Sequence, residues 1–255
     1  MRHTAIIGAI IISTTVAHAI NEDGLIFYFS FDQIDGDTVL SDAGQGINGK
    51  LEGDAQQAPG VKGMGIALNP DAADADPGKD FVRVAHVPEV SLNQAFTIAT
   101  WGKSTSFADY RTLVSKTDSG AYAFTVEANF ATAWVHVNGD YTHAGGKTKL
   151  DTDRWYHFAL TYDGSDVVIY IDGNGDGKNT RPGPITENNS DLMIGAEPAG
   201  KDFDPAWPAW HGYLDEFYFY NRALAEDEIQ ALIDDALPVE PHGKLATRWG
   251  SLKAQ

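Results

Sequence analysis

The sequence predicts an all-β protein, a β-sandwich carrying one short C-terminal helix. Three observations predict it. Short β-rich runs recur along the chain with Gly, Asp, Asn and Pro between them. Residues 155–164 and 167–173 read as a strand, a tight Asp-Gly turn and a second strand, the pattern of a hairpin. Helical periodicity is convincing at one place only, about Glu226 to Ala236. At 255 residues the chain can bury a core without disulfides, and it has no cysteine to form them.

The elements follow in order. Residues 25–31 form the first apolar run, and shorter runs follow at 65–68 and 81–85. In the second of these, period two turns Arg83 to water and Val82 and Val84 to the core. Runs at 96–101 and 111–116 come next, then a pair at 122–127 and 133–137. In the latter Trp134 and His136 share one face, Val135 and Val137 the other. After the hairpin come 192–195 and 213–220. The helix takes its apolar side from Leu224, Ile229, Leu232 and Ile233, and Glu226, Asp227 and Glu228 suit the positive end of its dipole.

The formal net charge is −18. A surface that acidic repels phosphate backbones, which argues against a nucleic-acid partner. Arg2, the apolar stretch from Ala5 to Val16 and the small-x-small site Ala17-His18-Ala19 read as a signal peptide over residues 1–19, cleaved after Ala19, so a secreted or otherwise extracytoplasmic protein is expected. The apolar stretch is too short for a membrane span, and no later segment supplies one. Residues 20–237 are expected to form the sandwich, and 238–255 a linker and short basic tail with Lys244, Arg248 and Lys253.

The ordered fragments 24–32, 48–51, 63–68, 81–84 with 91–101, 155–173 and 212–232 together resemble the LamG-like jellyroll family, within the concanavalin A-like lectin and glucanase fold. The resemblance implies a two-sheet antiparallel jelly roll. In that wider fold an aspartate on the last strand often binds a structural calcium beside the first strand. Asp215 occupies the matching position, with Asp32 and Asp80 as neighbours; the alternative is an acid hydrogen-bonded to backbone. Trp101, Trp155 and Phe217 read as core.

A second calcium candidate is read from spacing alone. Asp172, Asn174 and Asp176, followed by Gly177, fit the start of an EF-hand loop. The twelfth position is Gly183 rather than Glu, which leaves an enlarged hairpin loop as the alternative. His157, mid-strand, reads as a packed histidine.

Sugar sites need aromatic faces and polar groups. Trp207 and Trp210, near prolines in an apparent loop, are candidates, with Tyr110, Trp134 and Tyr141 adding to the surface; the alternative is that the two tryptophans cover the sandwich edge. Laminarinase-type relatives cleave glycans with Glu-x-Asp-x-x-Glu on one strand, which puts both carboxylates on one face. That motif is missing, and Glu127 has no acid two or four residues away. No nucleophile elbow or phosphate loop is present either. The sequence therefore points to an exported, non-catalytic recognition module for a glycan or extracellular polymer, with structural calcium. The alternatives are an adhesive protein-interaction module and a glycan-cleaving enzyme with an unrecognised site.

Overall fold

A computed structural model describes residues 21–107 and 110–236. The expected signal peptide, residues 1–19, and the linker and basic tail, 238–255, lie outside the described residues. Two large antiparallel sheets face one another. The first contains β1 (Leu25–Phe29), and the second β2 (Gly49–Glu52). The chain continues through β3 (Met64–Leu68), β4 (Phe81–Val84), β5 (Phe96–Ser104) and β6 (Tyr110–Ser115). Next come β7 (Tyr122–Glu127), β8 (Phe130–Val137) and β9 (Asp140–Gly145). β10 (Tyr156–Tyr162), β11 (Asp166–Ile171) and β12 (Asn174–Thr180) form a meander. β13 (Leu192–Ile194), β14 (Gly212–Tyr220) and α1 (Glu226–Ala236) complete the described chain.

The first sheet runs β12-β11-β10-β5-β14-β1, with β3 also paired to β14. The second runs β9-β8-β7-β6-β13-β4-β2. Strands adjacent in sequence often pair, while β14 joins β1 to β5 and β13 joins β6 to β4, so the chain crosses repeatedly between sheets, as a jelly roll requires.

Side-chain alternation explains the layers. Phe27, Phe29, Phe217 and Phe219 of the first sheet meet Val82, Val84, Phe124, Val135 and Val137 of the second in the main core. The alternate residues Tyr28, Tyr218 and Tyr220 point the other way, where Leu224, Ile229 and Leu232 of α1 cover them. That double burial is why β1 reads Leu-Ile-Phe-Tyr-Phe, apolar on both faces. Glu228 caps the helix start, accepting from the Ala225 N–H at 3.0 Å and from Arg222 at 2.7 and 2.8 Å. The helix thus shields the outer face of the first sheet, and the outer face of the second sheet is left to a pocket.

The expected strands are present, with Arg83 half-buried between buried Val82 and Val84, and Trp134 on the outer face with Val135 and Val137 inside. Two of the strands named above had no clear sequence signal. β9 and β12 are rich in Asp, Asn, Gly and Thr, and they form because β8 and β11 offer them a hydrogen-bonding edge.

At both places expected to hold calcium, the carboxylates are engaged by hydrogen-bond donors. Asp215 is fully buried, and three backbone N–H groups point at it: Val61 at 2.7 Å, Lys62 at 3.0 Å and Glu216 at 2.9 Å. Asp32 accepts from the Met64 N–H at 2.7 Å, and Asp80 from the Asp54 and Asn69 N–H groups at 2.7 and 3.1 Å. These acids tie down loops through donors, the reverse of the oxygen shell that calcium takes. Asp172 turns to the His157 N–H and Arg154, Asn174 donates to the Asp172 carbonyl, and Asp176 turns away to the Lys147 and Thr148 N–H groups. The three side chains do not converge, because residues 174–180 continue as strand β12 rather than wrapping an ion. Among the described residues, no group of three His, Asp or Glu side chains is placed to hold a metal.

Candidate functional site

The outer face of the second sheet carries a cavity of about 470 Å³, within the range of small-molecule sites. Its floor is set by strand register. Tyr110 of β6 stands opposite Glu127 of β7, and Ala123 of β7 stands opposite Trp134 of β8. Period two puts Ala123 and Glu127 on the same face, and the small side chain of Ala123 leaves room beside the Trp134 indole. Tyr141 of β9 completes this wall, and its hydroxyl meets the Gly120 backbone N–H at 3.3 Å.

The opposite wall comes from the segment after β13. A short hairpin pairs Pro198–Ala199 with Asp202–Phe203 and brings Glu197, Asp204 and Trp207 to the cavity. The Trp207 ring lies 5.2 Å from that of Tyr110 and is 46% exposed. The turn between β6 and β7 adds Thr117, Asp118 and Ser119.

Hydrogen bonds fix the two glutamates. Glu127 accepts from Trp134 Nε1 at 2.9 Å and from Thr125 Oγ1 at 3.0 Å. Glu197 accepts from Thr117 Oγ1 at 2.6 Å and from the Tyr110 hydroxyl at 3.2 Å. Burial pushes the Glu197 carboxyl above the usual carboxylate range, and the like charges of Asp204 and Glu127 push the same way. Burial, with Glu197 and Glu127 nearby, also raises the Tyr110 hydroxyl, so Tyr110 stays a neutral donor. The site can therefore stack a flat apolar face on its rings and accept hydrogen bonds at its carboxylates.

Of the five aromatic residues expected to bind ligand, Tyr110, Trp134, Tyr141 and Trp207 line this one cavity. Trp210 does not, and that expectation is corrected. It is fully buried, with its ring edge-on to Phe158 at 6.0 Å and Phe107 at 6.1 Å. Its backbone N–H donates to the Gly195 carbonyl at 2.7 Å as the chain enters β14, and its indole lies in the core. Trp101 and Trp155 pack with Ile233 and Ala236 at the end of α1. His157 is fully buried edge-on to Trp101 at 5.4 Å, and burial lowers its pKa to about 3. Glu197 and Asp204 were missed by sequence reasoning. They are distant from Glu127 in sequence, and their Ala-Glu-Pro and Phe-Asp-Pro settings look like ordinary turns.

No curated protein sequence matches the chain. Among solved structures, the binding domain of Paraclostridial Mosquitocidal Protein 1 is 18% identical with a TM-score of 0.65, covering 83% of this chain and 52% of that one. The binding domain of botulinum neurotoxin DC in complex with SialylT is 14% identical with a TM-score of 0.64, covering 85% and 52%. A structure of botulinum neurotoxin type C, whose cell entry is dependent upon interaction with two ganglioside molecules, is 16% identical with a TM-score of 0.65, covering 85% and 52%. The chain thus spans about half the length of these structures, and the likeness is one of fold. The laminin G-type family model, described as the concanavalin A-like lectin/glucanases superfamily, matches residues 76–230, and the chain belongs to that family.

Proposed function

We propose that this chain is an exported, non-catalytic recognition module that binds a glycan of an extracellular polymer in the cavity between β6, β7, β8 and the segment 197–207. One observation carries the reading: Tyr110, Trp134, Tyr141 and Trp207, drawn from separate strands and a loop, converge on one cavity that also holds carboxylates. Aromatic faces match the apolar face of a sugar ring, and fixed carboxylates match its hydroxyl donors. The sialylated and ganglioside ligands of the similar toxin domains support it at the level of ligand class. The charged n-region and small-x-small site at the chain start support export.

The test is titration of the chain against a panel of polysaccharides. Binding is expected, and Trp207→Ala and Trp134→Ala should each weaken it about tenfold, roughly 1.4 kcal/mol. No binding to any member would remove the reading. A second reading, glycan cleavage, is favoured by Glu197, which supplies the second acid that sequence does not show beside Glu127. The same panel assayed for new reducing ends decides: release that is lost in Glu127→Gln would replace the binding reading.

A further inference from the structure

The chemistry of the cavity restricts the ligand further, an inference that rests on the glycan-binding reading above. Among the described residues its lining holds four carboxylates, Asp118, Glu127, Glu197 and Asp204, and no Lys, Arg or His. Elsewhere in the molecule acids stand beside cations: Glu52 and Asp191 with Arg83, Asp166 with Lys178, Glu228 with Arg222. Among the described residues, no such ion pair reaches any of the four cavity acids.

Four side-chain donors of the wall are already committed. Trp134 Nε1 and Thr125 Oγ1 serve Glu127, while Thr117 Oγ1 and the Tyr110 hydroxyl serve Glu197. What the carboxylates still offer an incoming molecule is acceptor capacity and negative charge. Uncompensated like charge is already felt inside the cavity, since Asp204 and Glu127 both favour protonated Glu197. A bound cation relieves that repulsion. A bound anion adds to it, in a protein whose net charge is −18. The aromatic component is independent of these carboxylates and points the same way. The negative faces of Trp134, Trp207, Tyr110 and Tyr141 attract a cation and an apolar ring face alike.

We propose that the cavity recognises a cationic glycan, one whose 2-amino-2-deoxy sugar units carry a free ammonium group, with that ammonium held by Glu127 and Glu197 and the sugar face stacked on the aromatic wall. Sialylated, uronic and sulfated glycans are disfavoured by the same charge.

The experiment is calorimetric titration of the chain at pH 6 with a glucosamine hexamer, with the N-acetylglucosamine hexamer that shares its backbone but carries no charge, and with hexalysine. The glucosamine hexamer is expected to bind at least tenfold tighter than the acetylated one. Glu127→Gln and Glu197→Gln should shrink that ratio, and 0.5 M salt should weaken binding. Ala123→Leu, which fills the floor, should abolish it; Trp207→Ala, at an exposed position, is a second variant should the first not fold. Equal or tighter binding of the acetylated hexamer overturns the charge inference and leaves glycan recognition standing. Binding of neither hexamer, nor of any panel glycan, overturns glycan recognition itself. Hexalysine binding as tightly as the glucosamine hexamer overturns the amino-sugar assignment in favour of a cationic peptide. Binding as tight as the parent's in both Ala123→Leu and Trp207→Ala places the ligand on the acidic surface at large and overturns the site.

Discussion

Trp207 and Trp210 are three residues apart and have opposite roles. Trp207 stands 46% exposed beside Tyr110, whereas Trp210 is sealed between Phe107 and Phe158. Truncating a buried tryptophan removes its transfer free energy and leaves a cavity, so Trp210→Ala should cost about 3–5 kcal/mol in urea unfolding. Trp207→Ala removes a ring that water already reaches on one side, and should shift stability by no more than about 0.5 kcal/mol. A large stability loss in Trp207→Ala would mean that this ring is a structural lid and not a binding face. Glu127 and Glu197 show the same dependence on surroundings: each is an ordinary acid in sequence, and each becomes a fixed acceptor because a tryptophan or tyrosine donor is aimed at it.

At the scale of elements, β14 and the loop from Gly60 to Met64 act as a unit. β14 bulges between Asp215 and Tyr218, with Glu216 at φ 50°, and this turns the Asp215 carboxylate onto the loop. Gly63 sits at φ +64°, and a Cβ there would meet the Asp32 carboxylate, so the loop approaches as closely as glycine permits. The loop is held by N–H donation to Asp215 and Asp32. Asp215→Ala leaves three backbone donors without that acceptor and should cost about 3 kcal/mol or more, at roughly 1–3 kcal/mol for each donor that stays buried. For the same reason, neither EDTA nor millimolar calcium should move the thermal midpoint. A rise in calcium that disappears in Asp215→Ala would show that an ion displaces those donors and stabilises the native state by linkage.

The whole molecule is acidic, yet its buried titratable groups include bases. Burial lowers His157 to about 3 and His211 to about 4, the latter with help from Arg111. Burial also raises Asp215 to about 7 and raises Glu216. The signs oppose one another. Below the ordinary histidine pKa of about 6.5 the unfolded chain takes up protons that the folded histidines refuse, so acidification favours unfolding. The buried acids take up protons in the folded state before the unfolded chain does, so acidification favours folding until the ordinary carboxylate range is reached. Between about pH 4.5 and 6 the two histidines and Asp215 therefore act in opposite directions. His157→Gln removes one destabilising contribution, so the slope of unfolding free energy against pH should differ from the parent by about 1.4 kcal/mol per pH unit in that range, the variant gaining on acidification. Equal slopes, measured by urea titration at several pH values, would mean that His157 binds its proton in the folded state.

The layers were legible in the sequence because burial imposes period two on strands such as Phe81–Val84 and Phe130–Val137, and period 3.6 on Glu226–Ala236. The family's ordered fragments supplied the two-sheet arrangement. Strands β9 and β12 were not legible, because polar and glycine-rich segments become strands only when a neighbouring edge offers hydrogen bonds. Four cavity aromatics were legible as candidates for one surface, but the strand register and loop that bring them together were not. Sequence by itself determined the fold class, the acidic surface and the supply of aromatic side chains. Tertiary structure alone decided that Trp210 faces inward, that Asp215 and Asp176 accept from backbone N–H donors, and that Glu197 and Asp204 share a cavity with Glu127. The physical reason is that strand periodicity is a local consequence of burial, whereas a site depends on the register and crossings that join residues far apart in the chain.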